Sequence, residues 1–206
     1  MLDKLIIETD KVIKTLFMQP VSRRAHPDEQ ITDVKLSEKE KQHVVGLMRV
    51  NHCGEVCAQA LYQGQALTAR DKTNQNKLDA AALEETEHLA WTKRRIEELG
   101  GHTSILNPFF YIGSFIFGAG AGLIGDKWSL GFLEETEHQV CEHLKEHINQ
   151  LPNNDQKSKV ILEQMRIDEA KHEQMAHDYG ASKLPEPVKT LMQLFSKFMK
   201  NTTRYI

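Results

Sequence analysis

The chain has 206 residues, enough for one domain with a substantial core. Hydrophobic residues make up 40% and charged residues 27%, which excludes a disordered chain, and a net charge of −3 argues against nucleic acid as a partner. The three cysteines, Cys53, Cys57 and Cys141, are too few for a disulfide framework and suit a reducing compartment.

Helical periodicity dominates, and no alternating strand pattern of any length occurs. The expected fold class is all-α, with elements in the following order. The start, MLDKLIIETDKVIKTLF, carries acids as well as bases and no long apolar core. It predicts an amphipathic helix over 1–19 rather than a signal or transit peptide. Ser37-Glu38-Lys39-Glu40 is a capping box that opens a helix running to about Arg70. A second helix is predicted from about Asn74 to Leu99, stopped by Gly100-Gly101. A third runs from about Lys127 to Gln150, before Pro152. A fourth is capped by Asp155 and ends near Gly180, so that the bundle occupies about 37–180 of a single domain over 1–206. A last amphipathic helix is expected over 187–201. Its apolar face fits either a membrane surface or packing on the bundle.

Between the second and third helices, Ile105–Gly125 carries no charge. Its length nearly suffices to span a bilayer. Pro108 and the five glycines from Gly113 to Gly125 predict a poor continuous helix. The segment over 105–125 is therefore expected to be a hairpin-like or surface-dipping connection, the alternative being a buried crossover.

The chemistry lies in two Glu-x-x-His pairs, Glu85/His88 and Glu169/His172. Glu55 stands 30 residues before the first pair and Glu137 stands 32 before the second. The two halves thus read as an internal repeat, and a duplicated bundle with one long crossover is the ferritin-like arrangement. With one member on each helix, four carboxylates and two imidazoles would meet, the ligand set of a bundle-core di-iron or di-manganese site.

Helical angles test whether these residues point inward, since each residue advances about 100° around the axis. Glu55 falls in the stripe of Val44, Met48, Asn51, Ala58, Tyr62 and Ala66. Glu85 lies within the stripe of Leu78, Ala82, Leu89 and Ile96, with His88 at its edge, while Glu84 and Glu87 rotate away. Glu169 and His172 share a face with Leu162, Met165 and Ala176. The third helix is ambiguous by motif, because LEETEH occurs at both Leu83–His88 and Leu133–His138. Copying the motif would nominate Glu135 and His138. The apolar line of Leu133, Val140, Leu144 and Ile148 selects Glu137 instead, with Glu134 as the fallback.

Four buried carboxylates need counter-charge, since desolvation costs several kcal/mol per ion. Two divalent cations supply it, and oxygen with imidazole ligands and no thiolate suits iron or manganese rather than structural zinc. Tyr62, His143, Asp168 and His52 are candidates to orient these ligands, each also readable as a core polar residue with a local hydrogen bond. Cys53 and Cys57, one turn apart, read as small helix fillers.

The runs RVNHCGEVCAQALYQGQ (Arg49–Gln65), EETEH (Glu84–His88), GAGAGLIGDK (Gly118–Lys127), ETEHQVCEHL (Glu135–Leu144) and IDEAKHEQMA (Ile167–Ala176) resemble the demethoxyubiquinone hydroxylases of ubiquinone biosynthesis. The similarity covers about Lys41 to Gly180. It implies a ferritin-like di-iron monooxygenase with two Fe ions held by Glu55, Glu85, His88, Glu137, Glu169 and His172. His143 matches a histidine that the family carries. The reaction implied is hydroxylation of a polyprenyl methoxy-methyl-benzoquinol at its one unsubstituted carbon. It uses O2 and an external reductant, NADH or the quinol itself, since no dinucleotide fingerprint is present. The resemblance further implies peripheral attachment to a membrane surface, and favours membrane contact over burial for 105–125. The signal-free start suggests a bacterial member on the cytoplasmic side of the inner membrane, with other ubiquinone-biosynthesis proteins as partners. Rival functions are ferritin-type ferroxidase activity, peroxide scavenging at a di-metal site, and scaffolding of a biosynthetic complex. Neither soluble rival needs an uncharged crossover, and a pure scaffold leaves six inward ligands unexplained.

Overall fold

The computed structural model describes residues 2–206, with side chains from residue 6 onward. The described residues form seven helices and no strand: α1 (Leu2–Phe17), α2 (Glu38–Thr68), α3 (Lys72–Glu98), α4 (Asn107–Ile124), α5 (Asp126–Gln150), α6 (Gln156–Asp178) and α7 (Glu186–Thr203). Met1, where the first helix was expected to begin, lies outside the described residues.

Local chemistry accounts for the helix starts. Ser37 Oγ accepts from Glu40 N, and Glu40 Oε2 accepts from Ser37 N, so the capping box of α2 is complete. Asp71 accepts from Thr73 N at the start of α3, and Asp155 accepts from Ser158 N at the start of α6. Pro108 and Pro187 occupy the first turns of α4 and α7, where a missing N–H leaves no bond unmade.

Helices α2, α3, α5 and α6 make the ferritin-like bundle. Gln65 near the end of α2 reaches Ser129 near the start of α5, and Asn51 in the middle of α2 reaches His147 near the end of α5, so these two run antiparallel. Helix α4 carries the chain back alongside α2: Asn107 lies by His52, and Gly118 by Leu61. This parallel return allows α3 and α5 to run in the same direction. Gly125 alone separates α4 from α5, with φ +150, a backbone geometry that side chains disfavour.

The crossover departs from its expected form. Residues 107–124 are one continuous helix, not a hairpin. Its glycines are where two backbones meet: a Cβ on Gly118 would lie 2.1 Å from Leu61 O, and one on Gly64 would lie 2.3 Å from Phe115 O. The packing gained by that approach outweighs the helix propensity of glycine, about 1 kcal/mol below alanine per residue. One face of α4 is thus buried on α2, while Phe109, Ile112, Ile116 and Leu123 are exposed.

Two apolar clusters fill the bundle. One contains Leu47, Met48, Trp91, Ile96, Leu144, Leu162 and Met165, and the other contains Leu61, Tyr62, Leu78, Leu133 and Ala176. Helix α7 packs through Phe195 and Met199 onto Phe110 and Cys53, the packing use expected of it, and leaves Leu191, Leu194 and Phe198 exposed.

Candidate metal centre

On every bundle helix the chain passes from one apolar cluster to the other through a single polar layer. Glu55 falls between Met48 and Ala58, Glu137 between Leu133 and Leu144, and Glu169 between Met165 and Ala176. Glu55, Glu85, His88, Glu137, Glu169 and His172 are all buried.

The six converge. His88 Nδ1 lies 2.9 Å from Glu169 Oε1, 3.0 Å from Glu85 Oε2 and 3.5 Å from Glu55 Oε2. His172 Nδ1 lies 3.0 Å from Glu169 Oε2, 3.7 Å from Glu85 Oε1 and 3.8 Å from Glu137 Oε1. Two groups result, each with atoms able to hold one metal ion: Glu55, Glu85, His88 and Glu169, and Glu85, Glu137, Glu169 and His172. Glu85 and Glu169 belong to both, and each turns its two oxygens toward different rings. That is the geometry of carboxylates able to bridge two cations.

Without a cation the cluster is electrostatically incomplete. Both oxygens of Glu137 and Oε1 of Glu85 are buried and accept no hydrogen bond among the described residues. Burial, then neighbouring carboxylates, push Glu55 and Glu137 well above the usual carboxylate range. Burial opposes charge on His172, yet Glu169 and Glu84 outweigh it and its pKa is pushed up to about 12. Burial likewise opposes ionisation of Glu169, but the His88 and His172 rings hold it down to about 2. In the metal-free protein, protons do the neutralising. Two divalent cations would replace them, and the orphaned oxygens fit that donor set.

The outer face of each ring also has an acceptor. His88 Nε2 lies 3.5 Å from Asp168 Oδ2, and His172 Nε2 lies 3.2 Å from Glu84 Oε2. Asp168 immediately precedes Glu169, and Glu84 immediately precedes Glu85, so each ring is supported by the helix that carries the other. The remaining outer candidates do not hydrogen-bond to the six. His143 bonds Asn51, and His52 contacts Asn107. The Tyr62 hydroxyl is buried without a hydrogen-bond partner among the described residues.

Helix α5 resolves the duplicated motif. Glu137 faces the cluster, Glu134 bonds His177, and His138 bonds Glu173 at the surface. Glu135, which copying the motif would nominate, does not join the cluster: it is buried against α7 by an ion pair of 2.9 Å with Lys189. Sequence reasoning left Glu87 in solvent. It is buried under the segment joining α1 to α2, accepting from the backbone N–H of Arg23 and Arg24. No local signal announces that contact, which spans more than sixty positions.

Beside the polar layer is a narrow apolar cavity of about 170 Å3 between α2, α4, α5 and α7. Its lining includes Cys57, Phe117, Val140, His143, Leu191 and Phe195. Gly54 and Ala58, which flank Glu55, also border it, as do Thr136 and Val140 near Glu137.

Residues 42–203 match the family described as ubiquinone biosynthesis protein COQ7. The chain is 58% identical to a 3-demethoxyubiquinol 3-hydroxylase of Chromobacterium violaceum, over 98% of each chain. It is also 58% identical to one of Laribacter hongkongensis over 100% of both, and 53% identical to one of Dechloromonas aromatica over 96% of this chain and 95% of that one.

Proposed function

The chain belongs to the COQ7 family of ubiquinone biosynthesis proteins, and from that premise we propose that it is a 3-demethoxyubiquinol 3-hydroxylase working through a di-iron centre. Its substrate is a polyprenyl methoxy-methyl-benzoquinol, hydroxylated at the unsubstituted ring carbon with O2. Glu55 and His88 would hold one iron and Glu137 and His172 the other, with Glu85 and Glu169 available to both. The observation that carries this reading is the sharing of Glu85 and Glu169 by both ligand groups. Oxygen and imidazole donors without thiolate favour iron or manganese. Iron is the choice that supplies redox chemistry toward O2, with electrons from NADH or the quinol itself.

The protein's own part is positioning and exclusion. Apolar clusters on both sides of the carboxylate layer keep bulk water from it. The adjoining cavity is almost wholly apolar, suiting a quinol ring whose tail leaves between α4 and α7. His143 and Cys57 are polar groups within it. Outside that exit stand the exposed apolar faces of α4 and α7. Helix α4 is long and apolar enough to cross a membrane by length and composition. Its backbone-to-backbone seat on α2 instead favours a helix lying on the surface. We therefore place the protein peripherally on the cytoplasmic side of a bacterial inner membrane, as one ferritin-like domain, near other proteins of the same pathway.

The test is anaerobic loading with Fe(II), metal analysis, and addition of O2, reductant and a short-tailed demethoxyquinol. About two irons per chain and a hydroxylated quinol are expected. Two irons with no product and continued uptake into a mineral would replace this reading by a ferritin-type one.

A further inference from the structure

Residues 18–36, between α1 and α2, contain no helix and lie against α3 and α6 on the side of His88. Asp28 and Asp33 pair with Arg94 and Arg95 of α3, and three further sets of contacts fasten Ser22–Arg24. Glu87 accepts from the backbone N–H of Arg23 (2.9 Å) and of Arg24 (3.2 Å) and is bonded by Ser22 Oγ. Trp91 Nε1 donates to Ser22 Oγ at 3.2 Å. The Arg24 guanidinium stacks over the Trp91 ring, 4.9 Å from its centroid, and Trp91 itself leans on His88 at 5.3 Å between rings.

So held, Arg24 Nη1 donates to Asp168 Oδ2 at 2.8 Å. That same oxygen faces His88 Nε2, and the other oxygen of Asp168 takes Lys171 at 2.9 Å and Gln164 at 3.1 Å. Asp168 is therefore pinned on both oxygens and buried. Its counterpart on the other ring, Glu84, is half-exposed and bonds His172 alone among the side chains described. The bundle is close to symmetric about the carboxylates, but its outer support is not.

We propose that Ser22–Arg24 form a clasp in which Arg24, acting through Asp168, is a positioning residue that orients His88 and makes the metal position at His88 the tighter of the two. This rests on the di-metal reading above. The physical basis is pre-organisation. A pinned acceptor fixes the proton on His88 Nε2 and leaves Nδ1 free to face the carboxylates. At His172, an exposed and singly bonded Glu84 must be ordered when metal arrives.

Anaerobic titration of the full chain with Co(II), followed by calorimetry and visible absorption, reads each position separately. The wild-type protein should bind two equivalents in distinguishable steps. Arg24→Ala should weaken the first step by about tenfold or more and alter its absorption spectrum, as loss of an outer-shell partner does elsewhere. Arg24→Lys should recover part of the loss, and Arg23→Ala should change neither step, because Arg23 contributes its backbone N–H. Glu84→Gln, which leaves the clasp intact, should weaken the second step only. An unchanged first step in Arg24→Ala, or equal weakening of both steps, would overturn the proposal. A wild-type chain that takes up fewer than two equivalents would instead overturn the di-metal reading beneath it.

Discussion

Gly118 meets Leu61 so closely that a Cβ on the glycine would lie 2.1 Å from the Leu61 carbonyl oxygen. Neither backbone can give way locally, so Gly118→Ala must separate α4 from α2. The expected loss is about 1–3 kcal/mol, the usual range for overpacking, or more. Gly120 in the same helix faces open space. Gly120→Ala should leave stability unchanged or raise it by about 0.5–1 kcal/mol through helix propensity. Denaturant melts of the two variants check this, and equal effects would refute the close-packing account.

The same contact explains what the sequence could and could not tell. Composition set glycine down as a helix breaker, because propensity is a local quantity. The reason α4 is a helix is tertiary, lying in residues 61–68 of another element. By contrast, Glu137 was separable from Glu135 by angle alone, since an inward face on a helix is written in its own apolar residues. Arg24 and Glu87 were illegible for the opposite reason. The Ser22–Arg24 segment has no periodicity, and its partners lie more than sixty positions away. The apolar cavity likewise needs four helices in register before any of its walls can be recognised.

Glu137 and Glu135 sit two residues apart with opposed roles, which a pair of conservative changes should separate. Glu137→Gln removes a buried metal-ligating carboxyl whose oxygens accept no hydrogen bond among the described residues. Metal content should fall from two toward one per chain, while the metal-free fold stays about as stable as before, since burial already favours the neutral form of Glu137 and a glutamine is its neutral isostere. Glu135→Gln breaks the ion pair to Lys189 and loosens α7 over the cavity. It should keep both metals and raise the KM for quinol. Metal analysis with steady-state kinetics distinguishes them, and loss of metal in Glu135→Gln would reverse the assignment.

Protons and metal compete for the cluster, so pH should act differently on the two states. In the metal-free protein His172 is pushed from an ordinary 6.5 up to about 12. A raised folded-state pKa stabilises fully below the ordinary value and is lost as pH climbs toward the folded one. Glu55 and Glu137, also raised, act in the same sense from their ordinary 4.5 upward. Glu169, held to about 2, acts in the opposite sense, and only below its ordinary 4.5. The melting temperature of the metal-free chain should therefore fall between about pH 6 and about pH 9. The loaded chain should change less, and loading near neutral pH should release protons. Melts across that range and calorimetry in two buffers of different ionisation enthalpy are the checks. Metal-free stability that rises with pH there would contradict the charge distribution described.

Membrane contact should be separable from chemistry, because the residues that face outward are not those that line the cavity. Ile116 of α4 is 63% exposed and Leu194 of α7 is 60% exposed, and neither borders the cavity, whereas Phe117 and Leu191 do. An aspartate at both outward positions removes apolar area worth roughly 1.5–3 kcal/mol per side chain if fully buried in lipid. It also introduces charge facing an anionic headgroup layer. The double variant Ile116→Asp/Leu194→Asp should cosediment with anionic lipid vesicles at least about tenfold less well, following that area loss. It should keep its metal and its turnover of a short-tailed quinol in solution. Its rate on a long-tailed quinol embedded in vesicles should drop with binding, since a substrate confined to the vesicle is met only by protein bound there. Undiminished vesicle binding would mean that these faces serve another partner, and equal loss on both substrates would mean that the substitutions had damaged the bundle itself.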